Sequence, residues 1–331
     1  CCNTLLAEQV GMLGRYTEAF FPELVYVRPQ GQIEKRDSLE GSAFIDFPVD
    51  QTMIYPDYRR NTAELGKIQS SIDSVRNDVD ITITSVWLKG YASPEGSYAH
   101  NKELAIGRTA ALKRYIQQLY RFEGDVISTD YEPEDWAGLR YYVERSNLAH
   151  RAEIITLIDG NLEPDAREWK IKRDYPMEYS FLLQNCYPAL RHTDYRIAYT
   201  IRSYSDVEEI KRIMCERPQK LDLNEFYLAA QEYEPGTDEF TEVFETAVRM
   251  FPDDTIANLN AANAAMRRGD LTSAKRYLAK ADDSPEAVYA RGALAIRQKD
   301  YDSARRYLNE AKSLGLEQAG ITLEQLEKGR R

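Results

Sequence analysis

The chain has no run of eighteen apolar residues, so its sequence holds no stretch suited to cross a bilayer as a helix. It is also short of positive charge. Forty-three Lys and Arg stand against 54 Asp and Glu, a net charge of −11. That balance argues against a nucleic-acid partner, because phosphate binding needs a basic face. There are three histidines, His100, His150 and His192, too far apart in sequence to show a metal-ligand spacing. No metal and no cofactor is expected. The four cysteines, Cys1, Cys2, Cys186 and Cys215, include no CxxC, and their spacing pairs none of them. Cys186 and Cys215 stand open between a disulfide and two buried thiols.

What is present describes globular material: 331 residues, 43% hydrophobic and 29% charged, enough chain for two domains. Residues 1–42 read as an N-terminal extension or the tail of a missing domain. Within them LLAEQVGMLGRY is amphipathic, PELVYVRP (22–29) reads as a strand closed by Pro29, and KRDSLEG is polar and exposed. Residues 43–132 have βαβ character. SAFIDFPVD alternates as a strand, and a helix runs from Pro56 to about Arg76 with Leu65, Ile68, Ile72 and Val75 inward. ITITSVWLKGY is a strand whose alternation slips near Ser85, the mark of a bulge. A second helix and the strand VISTDY follow. Residues 133–190 are helical in pattern, and DYRIAYTIRSY (194–204) returns to a half-buried strand.

The central stretch is residues 88–116, a strand end, a polar turn and an amphipathic helix. Leu104, Leu112, Tyr115 and Leu119 define an apolar stripe, and Arg108 lies on it, with Asn101 seven residues before on the same face. An arginine in such a stripe needs an anion, from the protein or from a ligand. Glu95 and Asp46 are the internal candidates. Asn101 also suits a helix N-terminus.

From 221 onward the chain is all helix and repeats itself. SAKRYLAKA (273–281) is echoed by SARRYLNEA (303–311), and RRGDL and QKDYD separate paired helices that must stack to bury their faces. Asn258, Asn260 and Asn263 line a concave face able to hold a peptide by its backbone. Glu132, Glu134 and Asp135 form an acidic group before Trp136, suited to the positive end of a helix. Tyr141, Tyr142, Tyr179, Tyr195 and Tyr199 are read as core residues with hydroxyls at the rim.

Residues 88–116 resemble the OmpA-like peptidoglycan-binding domain. Gly90, Tyr91, Gly96, Ser97, Asn101, Leu104 and Arg108 fall in register with its G-Y-T-D-x-x-G-S and N-x-x-L-S-x-x-R-A pattern. The resemblance covers about residues 42–132 and the strand 194–204. It implies that Arg108 holds a peptidoglycan peptide, together with an aspartate whose position is taken here by Ser93. Glu95 is the nearest substitute. The GYASPEG variant resembles exported proteins of Bacteroides-type bacteria encoded near fimbrial genes.

The C-terminal third resembles tetratricopeptide repeats, with Ala262, Ala274 and Ala281, then Gly292, Ala304 and Ala311, at the small-residue positions and Pro252 ending a repeat. TLEQLEKG reads as a capping helix. The expected fold is thus α+β. An OmpA-like βαβ(αβ) sandwich spans 43–205 with a helical insertion over 133–190, and an all-α tetratricopeptide-like repeat domain spans 220–331.

The resemblances imply a non-enzymatic cell-envelope binding or scaffold protein of the periplasm or outer membrane. Its ligand site would comprise Arg108, Asn101, Ser93, Glu95 and Leu104, with peptidoglycan peptide as ligand and an envelope or fimbrial protein on the repeats. The alternative is a structural assembly factor for fimbriae or an outer-membrane complex, with that site vestigial. Cys1 fits either a lipoprotein cysteine or a boundary within a longer chain.

Overall fold

The computed structural model describes residues 21–48, 51–122 and 125–328. The amphipathic run at 5–16 and Cys1 lie outside them. The chain divides into two units, one of residues 34–202 and one joining the described residues 21–33 to 203–328.

The first unit is built on four strands. In chain order it runs β1 (Lys35–Ala43), α1 (Asn61–Arg76), β2 (Ile81–Tyr91), α2 (Tyr98–Tyr120), β3 (Ile127–Glu132), five insertion helices, and β4 (Thr193–Ile201). The sheet order is β1-β4-β2-β3. β4 runs antiparallel to β1 and β2, and β2 runs parallel to β3, a pairing that needs the α2 crossover. Thr193, Tyr195, Ile197, Tyr199 and Ile201 are buried in alternation along β4, as expected of a half-buried strand. The register of β2 against β4 shifts between Ile83 and Ser85, where the sequence alternation slips. On α1, Leu65, Ile68, Ile72 and Val75 are all buried.

Two expectations in this unit are corrected. The first strand is the polar segment Lys35–Ala43, paired along its length with β4; it shares only Ser42 and Ala43 with SAFIDFPVD, of which residues 44–48 form no strand and residues 49–50 lie outside the described residues. An edge strand can carry charge on both faces, so apolar alternation does not reveal it. Residues 44–48 are fixed differently. The Phe44 amide donates to Glu64 Oε2 at 3.0 Å, and Asn61 bonds both the amide and the carbonyl of Asp46 at 2.7 and 2.8 Å.

The second correction concerns α2. Its buried line is Asn101, Ala105, Thr109, Leu112, Ile116 and Tyr120; Leu104 and Arg108 are half-buried, and Leu119 is 48% exposed. The cause is close approach. A Cβ added to Gly90 on β2 would lie 1.9 Å from Thr109 Oγ1, so around Gly90 the helix meets the sheet through Ala105 and Thr109, with Leu112, Ile116 and Tyr120 continuing the line.

The insertion comprises α3 (Trp136–Arg145), α4 (Arg151–Ile158), α5 (Pro164–Asp174), α6 (Pro176–Asn185) and α7 (Tyr187–Leu190). It has its own core, in which Leu139, Ile154, Ile171, Leu182 and Tyr187 are buried. Cys186 is a buried free thiol, its pKa pushed up to about 12 by burial and then by the Asp135 charge; Cys215 is free and exposed. Tyr179, Tyr195 and Tyr199 are buried, but Tyr141 is exposed beneath the Arg145 guanidinium.

The second unit is helical: α8 (Val207–Glu216), α9 (Leu223–Ala230), α10 (Asp238–Met250), α11 (Thr255–Arg268), α12 (Leu271–Leu278), α13 (Pro285–Arg297), α14 (Tyr301–Ser313) and α15 (Glu317–Lys328). Its repetition is visible at the turns. Gly269 and Lys299 both take a left-handed φ, at 90° and 63°. Asp270 and Asp300 follow and cap α12 and α14 through the amides of Ser273 and Ser303. Ala262, Ala274, Ala304 and Ala311 are fully buried where helices pack. Residues 21–33, in which the sequence suggests a strand, form no ladder. No helix among the described residues is long and apolar enough to cross a membrane.

Candidate functional site

The loop after β2 is held by an arginine that sequence spacing does not reveal. Ser93 is buried, and Arg191, the residue after α7, donates from Nε to Ser93 Oγ at 3.0 Å. The same guanidinium pairs through Nη2 with Glu95. The loop is also tied to the end of β3, because Ala92 accepts from the Asp135 amide at 3.0 Å and donates to the Glu132 carbonyl at 3.3 Å. Ser93 and Glu95 are therefore brought together, by Arg191.

Asn101 belongs to a different, buried group. Its Nδ2 donates to Glu134 Oε1 at 2.9 Å, and Trp136 Nε1 donates to the other carboxylate oxygen at 2.8 Å. Burial lifts the Glu134 pKa above the usual carboxylate range. The two hydrogen bonds oppose that rise, and the charges of Asp165 and Glu168 add to it. The N-cap of α2 is Ser97, so Asn101 does not serve as the cap. Asp135 does cap α3, accepting from the Gly138 amide at 2.8 Å, as expected of an acid before that helix.

Arg108 reaches toward the segment that follows β1. Its Nε donates to the Gln51 carbonyl at 3.4 Å, and its guanidinium lies 5.0 Å from the Phe47 ring centre. Of the five residues that sequence singles out, two share Arg191, Asn101 joins Glu134, Arg108 meets Phe47 and Gln51, and Leu104 is half-buried on α2.

A polar cluster near the ends of β1, β2 and β4 is arranged around a carboxylate. Ser42 Oγ donates to Asp194 Oδ1 at 2.5 Å, His192 Nε2 lies 3.4 Å from the same oxygen, and the His192 ring stacks on Tyr91. Burial would raise the Asp194 pKa, but the bonds from His192, Ser42 and Tyr91 hold it below the usual range. The serine proton goes to the carboxylate rather than to the imidazole, which is not the arrangement that activates a nucleophile. Among the described residues no group of three or more His, Cys, Asp or Glu is placed to hold a metal.

The second unit carries a more complete binding geometry. Residues 21–33 run extended across α10, α11, α13 and α15. Asn260 on α11 accepts from the Val27 amide at 2.9 Å and donates to the Val27 carbonyl at 2.7 Å. Asn263 donates to the Val25 carbonyl at 2.7 Å. Tyr289 on α13 donates to the Glu23 carbonyl at 2.6 Å; its single proton is thereby used, so the Thr322 hydroxyl, 2.9 Å away, is the donor to Tyr289. Farther along, Arg28 donates to Asn224 Oδ1 and the Gln32 amide to Asp222 Oδ2. Leu24 is buried with Leu259 and Ala290, and Tyr26 packs on Phe240 and Phe244 with ring centres 5.1 and 5.4 Å away.

Residues 242–281 match the family model of the tetratricopeptide repeat. No curated protein matches the chain. The matched repeat contains most of α10, all of α11 and α12, and both asparagines that grip the extended segment. Repeats of this kind serve protein–protein interaction. Of the three asparagines that the sequence places on the concave face, Asn260 and Asn263 engage the segment. Asn258 instead bonds the Pro252 and Asp254 carbonyls and fixes the turn before α11.

Proposed function

We propose that the chain is a non-enzymatic scaffold of the cell envelope, at the periplasmic or outer-membrane side, whose tetratricopeptide repeats hold a protein partner. The observation that carries this reading is the groove of Asn260, Asn263 and Tyr289, which already seats a polypeptide by its main chain. Supporting it is the matched repeat at 242–281. The envelope context rests on the resemblance of residues 88–116 to the OmpA-like domain.

Two readings apply to the unit of residues 34–202. In one it docks to peptidoglycan, or a related anionic ligand, through Ser93, Glu95, Asn101, Leu104 and Arg108. In the other it is a structural part of an assembly factor for fimbriae or an outer-membrane complex, with that site vestigial. Arg191 favours the second, because the carboxylate nearest the ligand-gripping position is already paired with a guanidinium of the chain itself. Co-sedimentation with purified sacculi separates them. Equal recovery of wild type and Arg108→Ala is expected; loss of binding on Arg108→Ala alone would restore docking. For the partner, a protein cross-linked to the full chain in cells should be lost on Asn260→Ala. Its undiminished capture would place partner binding outside the groove.

A further inference from the structure

The repeats hold something before any partner arrives, and the fit of that occupant is incomplete. The main-chain hydrogen bonds of Glu23, Val25 and Val27 end on side chains of the helices. Recognition of that kind reads chain direction and spacing, as a neighbouring strand would, and makes little use of side-chain identity. Asn260 grips Val27 by both groups. Asn263 stands one helical turn farther along the same face, and Val25 stands two residues earlier along the same edge of the extended segment. Asn263, however, takes only the Val25 carbonyl. Its Oδ1 is buried and has no hydrogen-bond partner among the described residues, although Asn263 is 1% exposed. An extended main chain that brought its own amide to that oxygen would complete the second grip.

A second mismatch lies one residue away. The Tyr26 hydroxyl is buried without a partner among the described residues, close to Phe240 and Phe244. A phenylalanine would bury the same ring without stranding a hydroxyl. Water can satisfy the amide and hydroxyl groups of the groove when the segment lifts, but the apolar surface under Leu24, beside Leu259 and Ala290, and under Tyr26, on Phe240 and Phe244, must be covered again by whatever replaces it.

We propose that the face formed by Phe240, Phe244, Asn260, Asn263 and Tyr289 is a receptor for an extended segment of another protein, and that residues 21–33 are its resident, displaceable occupant. The segment it takes has apolar or aromatic residues at alternate positions, as Leu24 and Tyr26 do, and free main-chain amides between them. This rests on the reading that the repeats hold a protein partner, and adds that the chain's own strap competes with it.

The test uses the full chain and a labelled synthetic peptide of residues 21–33 carrying Tyr26→Phe, followed by fluorescence anisotropy. Compared with wild type, a strap-weakened chain, Leu24→Asp with Val27→Pro, is expected to bind the peptide at least about tenfold more tightly, the order of effect of one or two main-chain bonds. Adding Asn260→Ala to that chain should weaken binding about thirtyfold. Equal affinity of wild type and strap-weakened chain would overturn the competition while leaving the groove a receptor. No binding by a folded strap-weakened chain would overturn the receptor itself.

Should that variant not fold, amide exchange on wild type decides. The amides of residues 24–28 are expected to exchange well before those of α11 and α13. Exchange only together with those helices would make the strap a permanent part of the core. A wild-type dimer that Val27→Pro dissociates would assign the groove to a second copy and overturn the choice of a foreign partner.

Discussion

Asn260 holds Val27 from both sides of the peptide unit, its Oδ1 under the amide at 2.9 Å and its Nδ2 on the carbonyl at 2.7 Å. Asn260 is 1% exposed, so the amide group is committed to this contact. Asn260→Ala removes two neutral hydrogen bonds at roughly 1 kcal/mol each. We expect the Val27 amide to exchange about thirtyfold faster, in keeping with roughly 2 kcal/mol. Unchanged exchange measured by NMR would show that Asn260 does not secure the strap.

Tyr26→Phe should stabilise the repeat unit. Burial, the largest cause, raises the Tyr26 pKa against a smaller opposing pull from Arg267, so the hydroxyl stays neutral, and it has no hydrogen-bond partner among the described residues. Removing it should add about 1 kcal/mol and raise the melting temperature by about 3 °C. A drop in thermal stability would mean that the hydroxyl has a partner in solution.

Gly90→Ala tests the contact between β2 and α2. The new methyl group would meet Thr109 Oγ1 at 1.9 Å, and that hydroxyl already donates to the Ala105 carbonyl at 2.7 Å. A loss of roughly 1–3 kcal/mol is expected in denaturant unfolding. Thr109→Ala in the same chain should recover part of it; strict additivity of the two substitutions would argue against a direct clash.

The Glu134 carboxyl gives a pH dependence with a definite sign. Burial holds its folded pKa above the ordinary carboxylate range, so the native state holds the proton more tightly than the unfolded one. The stability this group contributes is fully present below the unfolded value and is lost as pH rises through the folded value. Because Trp136 donates to this carboxylate, Trp136 emission should change with a midpoint above the ordinary carboxylate range. Glu134→Gln should abolish that transition; its persistence in the variant would assign it elsewhere.

Arg191→Met frees both Ser93 and Glu95. The ion pair is largely exposed, so the cost in stability should be no more than about 1 kcal/mol. The effect should appear locally, as faster proteolysis at residues 93–97. Cleavage at the wild-type rate would show that the ties to β3 suffice to hold the loop.

The sequence is legible where periodicity reports burial. The inward face of α1, the alternation of β4 and the slip at Ser85 follow from apolar spacing alone. The repeat turns follow from the recurrence of SAKRYLAKA and SARRYLNEA. It misleads where contact is made by small or polar residues. β1 is a charged edge strand, and α2 packs through Ala105 and Thr109, so the stripe drawn through Leu104 and Leu119 places Arg108 too deep. Arg191 has no local signature, because its partners lie 96 and 98 residues away in sequence. Asn260 and Asn263 are readable as peptide-holding residues, but the extended run from Phe21 to Ile33 gives no sign that it is what they hold.

A groove that grips amides and carbonyls is insensitive to point changes at the residues it holds only by the main chain. Side chains at Glu23, Val25 and Val27 can drift while their main-chain contacts persist, so natural partners need share little beyond the apolar alternation that Leu24 and Tyr26 display. An imino acid at a gripped amide strikes at the recognition itself. Pro22 and Pro29 flank the stretch from Glu23 to Arg28, and no proline falls within it.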